Sequence, residues 1–412
     1  MKYGCIGEHL SHSFSKEIHA ALSDYEYKIH EVAREALDKF MTERDFLGIN
    51  VTIPYKEAVI PHLYYIDDSA KAIGAVNTVV NREGRLYGYN TDFYGVTKLL
   101  SHAKISLEGK KVAILGTGGT SKTVFAVARS LNAEEIIKVS RSEKPEAVTY
   151  EEFYTSHADT EIIINTTPVG MYPRSAEIPI DISKFPKLSG VVDMIYNPLR
   201  TRLVLAAREH GISAVGGLYM LVAQAVRASE IFLDTTYPDG TIDSVYGKIL
   251  KSKENVVLIG MPSCGKSTVG KIIAEALGRE TVDTDSVISE RTKISIPDIF
   301  EKYGEKYFRD LESEAIRETS YRASTVISTG GGAPIRAENI LLLKQNGRIY
   351  FIDRPLSSLT PTDDRPLSKD RAAIEERFIE RYPVYLKSCD TKIGADGTPQ
   401  DVAEKILEDF RK

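Results

Sequence analysis

The stretch from Asn255 to Val269 is the part of this 412-residue chain that most restricts its fold. An apolar run, Val256–Ile259, leads into Gly260-x-x-x-x-Gly265-Lys266-Ser267, and a helical pattern follows from Thr268. In such a loop the glycines let backbone N–H groups point at phosphate oxygens, the lysine adds positive charge, and the serine hydroxyl can hold Mg²⁺. The stretch therefore predicts a phosphate-binding loop (P-loop) between a buried strand and a helix.

Composition limits what the whole chain can be. A chain of 412 residues with 42% apolar and 27% charged residues predicts two to three globular domains. The net charge is −5 and both sides of residue 250 are weakly acidic, which argues against nucleic acid and anionic membranes as partners. No apolar run reaches membrane-spanning length, the first residues predict a strand rather than a signal peptide, and three scattered cysteines predict neither disulfides nor a metal site. We expect a cytoplasmic protein; its oligomeric state is left open.

The first 100 residues alternate between strand and helix patterns, with polar clusters where elements end. These clusters are Ser13-Phe-Ser15, Asn50-Val-Thr52 with Lys56 nearby, and Asn90-Thr-Asp92. Each cluster alone is typical of a helix cap or a solvated loop, and Ser15 and Asp92 are plausible N-caps. The segment Arg82–Arg85 predicts the turn of a hairpin.

A second strand–helix unit begins near residue 110. Gly116-x-Gly118-Gly119 follows an apolar strand, and the pattern predicts a helix from Ser121 to Leu131, on whose N-terminus a dinucleotide pyrophosphate could rest. The motif is incomplete, because Ser121 stands where a third glycine is expected. The next strand ends in Ser140-Arg141, where an NAD site favours an acidic residue and an arginine suits the 2′-phosphate of NADP. A plain surface arginine remains the alternative.

Seven motifs in residues 1 to about 250 give the chain a resemblance to shikimate dehydrogenases. In chain order they are Ser13-x-Ser15, Asn50-Val-Thr52-x-Pro54-x-Lys56, Gly74-Ala-Val-Asn77-Thr78, Asn90-Thr-Asp92, Gly116-x-Gly118-Gly119, Tyr196-x-Pro-x-x-Thr201 and Gly217-Leu-x-Met-Leu-Val-x-Gln224. The resemblance implies an enzyme with a substrate domain and a Rossmann domain that reduces 3-dehydroshikimate to shikimate with NADPH.

The resemblance also assigns roles to residues. Ser13, Ser15 and Tyr196 would bind the substrate carboxylate, and Thr52, Asn77 and Gln224 its ring hydroxyls. Lys56 and Asp92 would be the catalytic pair, because a positioned ammonium can stabilise the oxyanion formed by hydride addition and protonate it. The cofactor-binding set would be Gly116, Gly118, Gly119, Thr120, Ser140, Arg141, Met194 and Gly217. Ser140-Arg141-Ser142 departs from the family's usual Asn-Arg-Thr, and Thr120 and Lys122 replace the common Ala and Arg, but Arg141 is kept and still favours NADP.

Behind the P-loop, a further series of motifs resembles shikimate kinase over about residues 254–412. They are Asp283-Thr-Asp285, Phe308-Arg309-Asp-Leu-Glu312, Val326-Ile-Ser-Thr-Gly-Gly-Gly332, Asp364-Arg365-Pro-Leu367 and Arg381-Tyr-Pro-Val-Tyr385. The resemblance implies that Asp285 is the base, that Arg309 and Arg381 clamp the substrate carboxylate, and that the Gly331 N–H contributes. Lys266 and Arg365 would neutralise the transferring phosphoryl group, and Ser267 and Asp283 would serve Mg²⁺. The ATP-binding set would be Ser263, Cys264, Gly265, Lys266, Ser267 and Thr268. The lid over 359–365 is short and lacks an upstream arginine common in the family.

The sequence thus predicts an α/β protein of four parts. These are a substrate domain (residues 1–100, to which a helix over 218–238 returns), an NADP-binding Rossmann domain (101–217), a linker helix (239–254) and a P-loop kinase domain (255–412) of the nucleoside monophosphate kinase type with a parallel sheet. The predicted function is reduction of 3-dehydroshikimate followed by phosphorylation of shikimate with ATP and Mg²⁺. Two alternatives stay open: an NAD-dependent quinate/shikimate oxidoreductase fused to a small-molecule kinase, and a non-catalytic shikimate-sensing regulator.

Overall fold

The computed structural model describes residues 1–8, 10, 14–360 and 370–412. The chain divides into two compact units, Met1–Ile249 and Leu250–Lys412. The division falls inside the helix Thr241–Lys253, which corresponds to the linker helix expected over 239–254.

The first unit begins with a six-stranded mixed sheet in the order β2-β1-β3-β5-β6-β4. Its strands are β1 (Tyr3–Gly7), β2 (Tyr27–Glu31), β3 (Gly48–Val51), β4 (Tyr65–Ile66), β5 (Thr78–Arg82) and β6 (Arg85–Tyr89). The helices between and after them are α1 (Ser15–Leu22), α2 (Leu37–Glu43), α3 (Asp68–Ile73) and α4 (Thr91–His102), with 3₁₀ turns at Arg34–Ala36 and Ile60–His62. Strands β5 and β6 pair antiparallel with Arg82 opposite Arg85, which confirms the predicted hairpin.

The second sheet of this unit is wholly parallel, in the order β12-β11-β10-β7-β8-β9. Its strands are β7 (Lys111–Leu115), β8 (Glu135–Ser140), β9 (Val148–Thr149), β10 (Ile162–Asn165), β11 (Gly190–Asp193) and β12 (Ser213–Val215). The helices are α5 (Gly119–Ser130), α6 (Tyr150–Ser156), α7 (Arg202–Glu209), α8 (Leu218–Leu233) and α9 (Thr241–Lys253), with a 3₁₀ turn at Ile182–Lys184. The strand order reverses between β7 and β10, and dinucleotides bind at this kind of switch point.

Helix α8 carries the chain back to the first sheet. Its Phe232 packs in a buried cluster with Cys5, Tyr27 and Val80, and the helix also packs against α1 and α4. The sequence predicted this helix over 218–238, and it ends at Leu233. Helix α8 is thereby held against the first sheet.

The second unit has a parallel sheet in the order β14-β15-β13-β16-β17. Its strands are β13 (Asn255–Ile259), β14 (Glu280–Asp283), β15 (Thr325–Ser328), β16 (Gly347–Asp353) and β17 (Thr391–Gly394). The helices are α10 (Lys266–Leu277), α11 (Thr284–Thr292), α12 (Ile296–Ser320), α13 (Ala337–Asn346), α14 (Arg371–Ser388) and α15 (Pro399–Arg411), with 3₁₀ turns at Ala333–Ile335 and Leu356–Ser358. Strand β13, the one before the P-loop, is central and buried throughout.

Three local predictions about helix starts are wrong. Asn90 caps α4 by accepting the Phe93 N–H at 3.2 Å, so Asp92 lies in the first turn with its carboxylate available for other contacts. Ser15 is the first residue of α1 rather than its cap. Helix α5 starts at Gly119, two residues earlier than its pattern suggested. Glycine can adopt helical as well as non-helical backbone angles, so Gly119 does not prevent the helix from starting there. Within the described ranges, no helix is both long and apolar enough to cross a membrane.

Candidate active sites

A cavity of about 400 Å³ in the first unit gathers residues from seven separate stretches of sequence. Its walls include most of the predicted substrate and catalytic residues: Ser15, Thr52, Lys56, Asn77, Asp92, Tyr196 and Gln224. Three predicted cofactor residues, Thr120, Met194 and Gly217, line the same space. The fold therefore brings most of the predicted substrate and catalytic residues and three of the predicted cofactor residues to one site.

The closest polar contact in this cavity joins the predicted catalytic pair. Lys56 Nζ donates to Asp92 Oδ2 at 2.6 Å, and their side chains are 20% and 12% exposed. A charged amine held by one carboxylate oxygen keeps two N–H groups for other acceptors. The pair can thus place a proton donor at a fixed point in the cavity.

Asn77 and Gln224 are held by a buried network that the sequence did not reveal. Asn77 Oδ1 accepts the backbone N–H of Thr91 at 2.7 Å, which fixes its amide orientation and leaves the NH₂ group as the part of Asn77 offered to a ligand. The Thr91 hydroxyl also reaches Asn77 Oδ1 at 3.2 Å and Gln224 Oε1 at 3.4 Å. Asn50 donates to the Thr78 hydroxyl at 3.1 Å and extends the network. Thr91 is thus the link between the two predicted hydroxyl-binding amides.

Asp193, another residue missed from sequence, shapes the loop that presents Tyr196. It is fully buried at the end of β11, where it accepts from Thr201 Oγ1 at 2.6 Å, Asn165 Nδ2 at 3.0 Å and the Ile195 N–H at 3.1 Å. Burial raises the pKa of this carboxyl to about 6, although the three hydrogen bonds oppose that shift. Its partners Ile195 and Thr201 flank Tyr196, so the loop is tied down at both ends.

The backbone of the glycine loop in the first unit leaves room for an anion at the N-terminus of α5. Gly116 has φ of +105°, and a side chain there would also meet Thr166 and Thr167. A Cβ on Gly118 or Gly119 would meet nothing within 4 Å, so open space lies in front of the α5 N-terminus. Lys144 Nζ donates to Thr117 Oγ1 at 2.7 Å and adds a positive charge beside the loop. These features fit a phosphate-bearing dinucleotide.

The remaining predicted cofactor residues differ in what they can offer. Arg141 is exposed just after β8, whereas the Ser140 side chain is buried and accepts the Ser142 N–H at 3.3 Å. Gly217 must be glycine, because a Cβ there would lie 2.3 Å from the Met194 carbonyl oxygen. Arg141 is thus the member of this set that is free to reach a 2′-phosphate, with Lys144 three residues further on.

A larger cavity, of about 760 Å³, lies in the second unit at the carboxyl ends of β14 and β15. Its lining includes the predicted residues Asp283, Asp285, Arg309, Gly331 and Arg381. Arg309 and Arg381 are both buried, at 8% and 4% exposure, and come from α12 and α14. Two buried guanidinium groups beside two carboxylates suit a ligand with both an acidic group and hydroxyls.

Glu312, which the sequence supplied within a motif but without a role, holds Arg309 in place. Arg309 Nη1 donates to Glu312 Oε2 at 2.8 Å, and Nη2 donates to Glu305 Oε1 at 2.9 Å. Glu312 has no exposed surface, and burial raises its pKa while the charge of Arg309 lowers it. The spacing of three and four residues on one helix is the signal that could have predicted both ion pairs.

Three consecutive glycines at the end of β15 make room for the charged side chains. A Cβ on Gly330 would lie 2.6 Å from Asp285 Oδ1 and 2.7 Å from Glu312 Oε1. A Cβ on Gly332 would lie 2.1 Å from Arg309 Nη1, and one on Gly331 would clash with Pro262. Gly330–Gly332 therefore have a steric role in addition to the predicted N–H of Gly331.

The P-loop has the backbone that phosphate binding requires. Gly260 and Gly265 adopt φ of +149° and +99°, and Lys266 Nζ donates to the carbonyl oxygens of Gly260 and Met261, both at 2.9 Å. Cys264, predicted to bind ATP, has a buried side chain, and its backbone N–H donates to the Met261 carbonyl oxygen at 3.3 Å. Ser267 Oγ donates to Asp283 Oδ2 at 2.7 Å. This pair of adjacent oxygen ligands fits Mg²⁺, which is usually held by one or two protein oxygens plus nucleotide phosphates.

Two predicted site residues, Ser13 and Arg365, lie outside the described residues. Ser263 and Thr268 lie on the P-loop and at the start of α10, as expected, and Thr268 is exposed. No cluster of three or more His, Cys, Asp or Glu side chains that could hold a metal ion by itself occurs in the described part of the chain.

Comparison with known families gives one match in each unit. Residues 5–79 match the shikimate dehydrogenase substrate-binding domain, and residues 262–411 match shikimate kinase. Over 264 residues the chain is 36% identical to a shikimate dehydrogenase (NADP⁺) from Clostridium perfringens, and the matched region covers 60% of this chain and 97% of that protein. A shikimate dehydrogenase (NADP⁺) from Clostridium beijerinckii is 38% identical over 261 residues.

Solved structures resemble the same 60% of the chain. Shikimate dehydrogenase 1 from Peptoclostridium difficile is 36% identical with a TM-score of 0.56, and 98% of that chain is covered. A chorismate mutase/shikimate 5-dehydrogenase fusion protein from Clostridium acetobutylicum is 38% identical with a TM-score of 0.57 and 96% covered. The Thermus thermophilus shikimate 5-dehydrogenase, solved with NADP(H) and shikimate, is 29% identical with a TM-score of 0.54 and 99% covered.

Proposed function

This chain belongs to the shikimate dehydrogenase family and carries a shikimate kinase domain behind the dehydrogenase, and from that premise we propose which side chains perform its two reactions. It is a bifunctional enzyme of the shikimate pathway that uses NADP(H), ATP and Mg²⁺, with 3-dehydroshikimate and shikimate as substrates. The proposal concerns the roles of individual residues and the order of the two steps within one polypeptide.

The observation that carries the dehydrogenase assignment is the contact of 2.6 Å between Lys56 Nζ and Asp92 Oδ2 inside the 400 Å³ cavity. NADPH, when bound at the glycine loop, supplies the hydride. Lys56 then donates a proton to the oxygen of the reduced carbonyl and recovers one from solvent, because its side chain is 20% exposed. Asp92 holds the ammonium group aimed at that oxygen, and the negative charge developing there is stabilised by the same ammonium group.

Binding residues fix the substrate around this pair. Ser15 and Tyr196 hold the carboxylate together with Ser13, while Thr52, Asn77 and Gln224 hold ring hydroxyls. The buried hydrogen bonds from Thr91 to Asn77 and Gln224 support this assignment, since a pre-oriented amide loses little entropy when a ligand binds.

In the kinase unit, Asp285 accepts the proton of the attacking hydroxyl, and Arg309 and Arg381 hold the carboxylate. Their shared cavity of about 760 Å³ adjoins the P-loop, since Pro262 also lines it. ATP with Mg²⁺, when bound, supplies the phosphoryl group and part of the charge that activates it. Lys266, together with Arg365, neutralises the charge on that group, and the Ser267–Asp283 pair provides the protein oxygens for the metal ion.

The direct test is Lys56→Ala. The dehydrogenase kcat should fall by roughly 10²-fold or more, because a positioned general acid contributes that much. The kinase rate of the same sample serves as an internal control, and Lys28→Ala, on an exposed lysine paired with Glu26, is the matched variant. A near-normal dehydrogenase kcat for Lys56→Ala would refute the assignment.

Cofactor choice rests on Arg141 and Lys144. Both are basic and near the glycine loop, which favours the 2′-phosphate of NADP, and curated relatives of this chain are NADP⁺ enzymes. The ratio of kcat/KM for NADP and NAD measures how strongly these two cations favour NADP.

A further inference from the structure

Arg354, in the second unit, follows the last residue of β16 and has no partner within the described part of the chain. Its guanidinium makes no hydrogen bond and no ion pair there, and its Nε is buried. The adjacent carboxylate does not neutralise it, because Asp353 Oδ2 instead accepts from Tyr382 OH at 3.1 Å and pairs with Lys392 Nζ at 3.2 Å. A partly buried, unpaired cation is costly, so it calls for an explanation.

The position of Arg354 beside the P-loop explains why a partly buried cation lies here. A Cβ placed on Gly265 would lie 3.9 Å from Arg354 Nη1. Strand β16 pairs with β13, with Phe351 opposite Ile259, and a Cβ on Gly260 would lie 2.8 Å from the Ile352 carbonyl oxygen. The end of β16 is therefore packed against both glycines of the phosphate-binding loop.

The sheet order indicates which part of a nucleotide would pass Arg354. The acceptor cavity lies at the carboxyl ends of β14 and β15, which are on one side of the central strand β13 in the sheet, whereas β16 and β17 are on the other side. The terminal phosphoryl group must face the acceptor, so the rest of the nucleotide extends away from it, over the ends of β16 and β17. Arg354 lies at the start of that path, beside the loop that holds the phosphates.

We propose that Arg354 is a nucleotide-binding residue of the kinase unit that donates its guanidinium hydrogen bonds to the phosphate chain of ATP. The inference rests on the kinase function proposed above. A planar guanidinium matches phosphate geometry, and since no described residue accepts from it, its donors are available to a ligand.

The test is binding of Mg·ADP to the full chain, measured by calorimetry with saturating NADP⁺ to occupy the dinucleotide site of the first unit. Arg354→Gln should raise the Kd for ADP by roughly 10- to 100-fold, the loss expected for hydrogen bonds to a charged group. Arg411→Gln, on an exposed arginine of α15, is the matched control and should bind as wild type. Kinase KM for shikimate should not change.

Two further readouts separate phosphate contact from other roles. Because phosphates are common to all nucleotides, the inhibition constants of ADP and GDP against ATP should rise by the same factor; a change confined to ADP would mean contact with the base and would overturn the proposal. Arg354 forms no hydrogen bond or ion pair with any side chain that the structure describes, so Arg354→Gln without ligand should melt no earlier than wild type. A clear fall in that melting temperature would indicate a structural role and also overturn it.

The failure of this proposal and that of the proposed function are distinguishable. An ADP affinity of Arg354→Gln within twofold of wild type, in a chain that phosphorylates shikimate, refutes the role of Arg354 alone. Arg354-dependent ADP binding in a chain that does not phosphorylate shikimate supports the role of Arg354 and refutes the assigned reaction.

Discussion

Replacing Gly332 by alanine should weaken substrate binding in the kinase unit without unfolding it. The backbone of Gly332 has φ of −98°, which any residue can adopt, so the effect is steric. The new Cβ would lie 2.1 Å from Arg309 Nη1, 2.3 Å from Cζ and 2.3 Å from Nη2. An ordinary contact between such atoms is about 3.5 Å, so the guanidinium must retreat by more than about 1 Å.

That movement of the Arg309 guanidinium determines how much the affinity for shikimate falls. The hydrogen bonds of Arg309 to Glu312 and Glu305 are 2.8 and 2.9 Å long, and a displaced guanidinium cannot keep both these bonds and the contact that we propose with the substrate carboxylate. Loss of one charge-assisted hydrogen bond costs about 1.5–3 kcal/mol, or roughly a 10- to 150-fold rise in KM for shikimate. The clashing atoms are the end of a flexible side chain, so the melting temperature should change little.

The assay is a shikimate titration of kinase activity, with the dehydrogenase rate of the same sample as the measure of active protein. A double-mutant cycle makes it specific: in an Arg309→Gln background, Gly332→Ala should have little further effect, because the clash is gone. Gly394→Ala, whose nearest contact would be 3.5 Å away, is the matched glycine control. An unchanged KM in Gly332→Ala, or full additivity in the cycle, would refute the reasoning.

Three other predictions concern the first unit and the transfer of shikimate to the second. Arg141→Asp should move the ratio of kcat/KM for NADP and NAD toward NAD, and an unchanged ratio would show that Arg141 is a surface residue. His19 is fully buried and burial lowers its pKa to about 3, so below pH 6.5 the unfolded chain binds a proton there that the folded chain does not, and this one group should remove about 2 kcal/mol of stability from pH 7 to pH 5. Asp193, whose raised pKa of about 6 lets the folded chain take up a proton over the same range, acts in the opposite direction, so the test is the difference between variant and wild type: from pH 7 to pH 5 the unfolding free energy of His19→Gln should gain about 2 kcal/mol relative to wild type in urea titrations followed by dehydrogenase activity. A pH profile unaffected by His19→Gln would contradict it. Each unit has its own predicted set of carboxylate-binding residues, so shikimate should pass from one site to the other through bulk solvent. When both reactions start from labelled 3-dehydroshikimate, excess unlabelled shikimate should lower the labelled fraction of the final product. A product that keeps its full label would mean direct transfer between the sites.

The parts of the fold that the sequence predicted well are those with local signals. The P-loop, the hairpin at Arg82–Arg85 and the strand before Gly116 each depend on residues that are close in sequence, and the structure places them as expected. The cap of α4 was assigned to Asp92 instead of Asn90, because both are good caps and only the tertiary contact with Lys56 decides between them.

The residues that the sequence missed act across long separations. Thr91 joins Asn77 to Gln224, which is 133 positions away, and Asp193 joins Thr201 to Asn165. Arg354 meets Gly265 only because β16 pairs with β13. Such contacts leave no pattern in one sequence. Glu312 is the exception, since its spacing of three residues from Arg309 on a helix was visible.

The most direct test of two active sites in one chain is a single-vessel assay of purified Lys56→Ala beside wild type, supplied with 3-dehydroshikimate, NADPH, ATP and Mg²⁺. Wild type should oxidise NADPH and accumulate shikimate 3-phosphate. Lys56→Ala should form almost none, and added shikimate should restore its formation at the wild-type rate. If the variant still makes the product from 3-dehydroshikimate, or if shikimate fails to restore it, the account of two independent sites with Lys56 in the first is wrong.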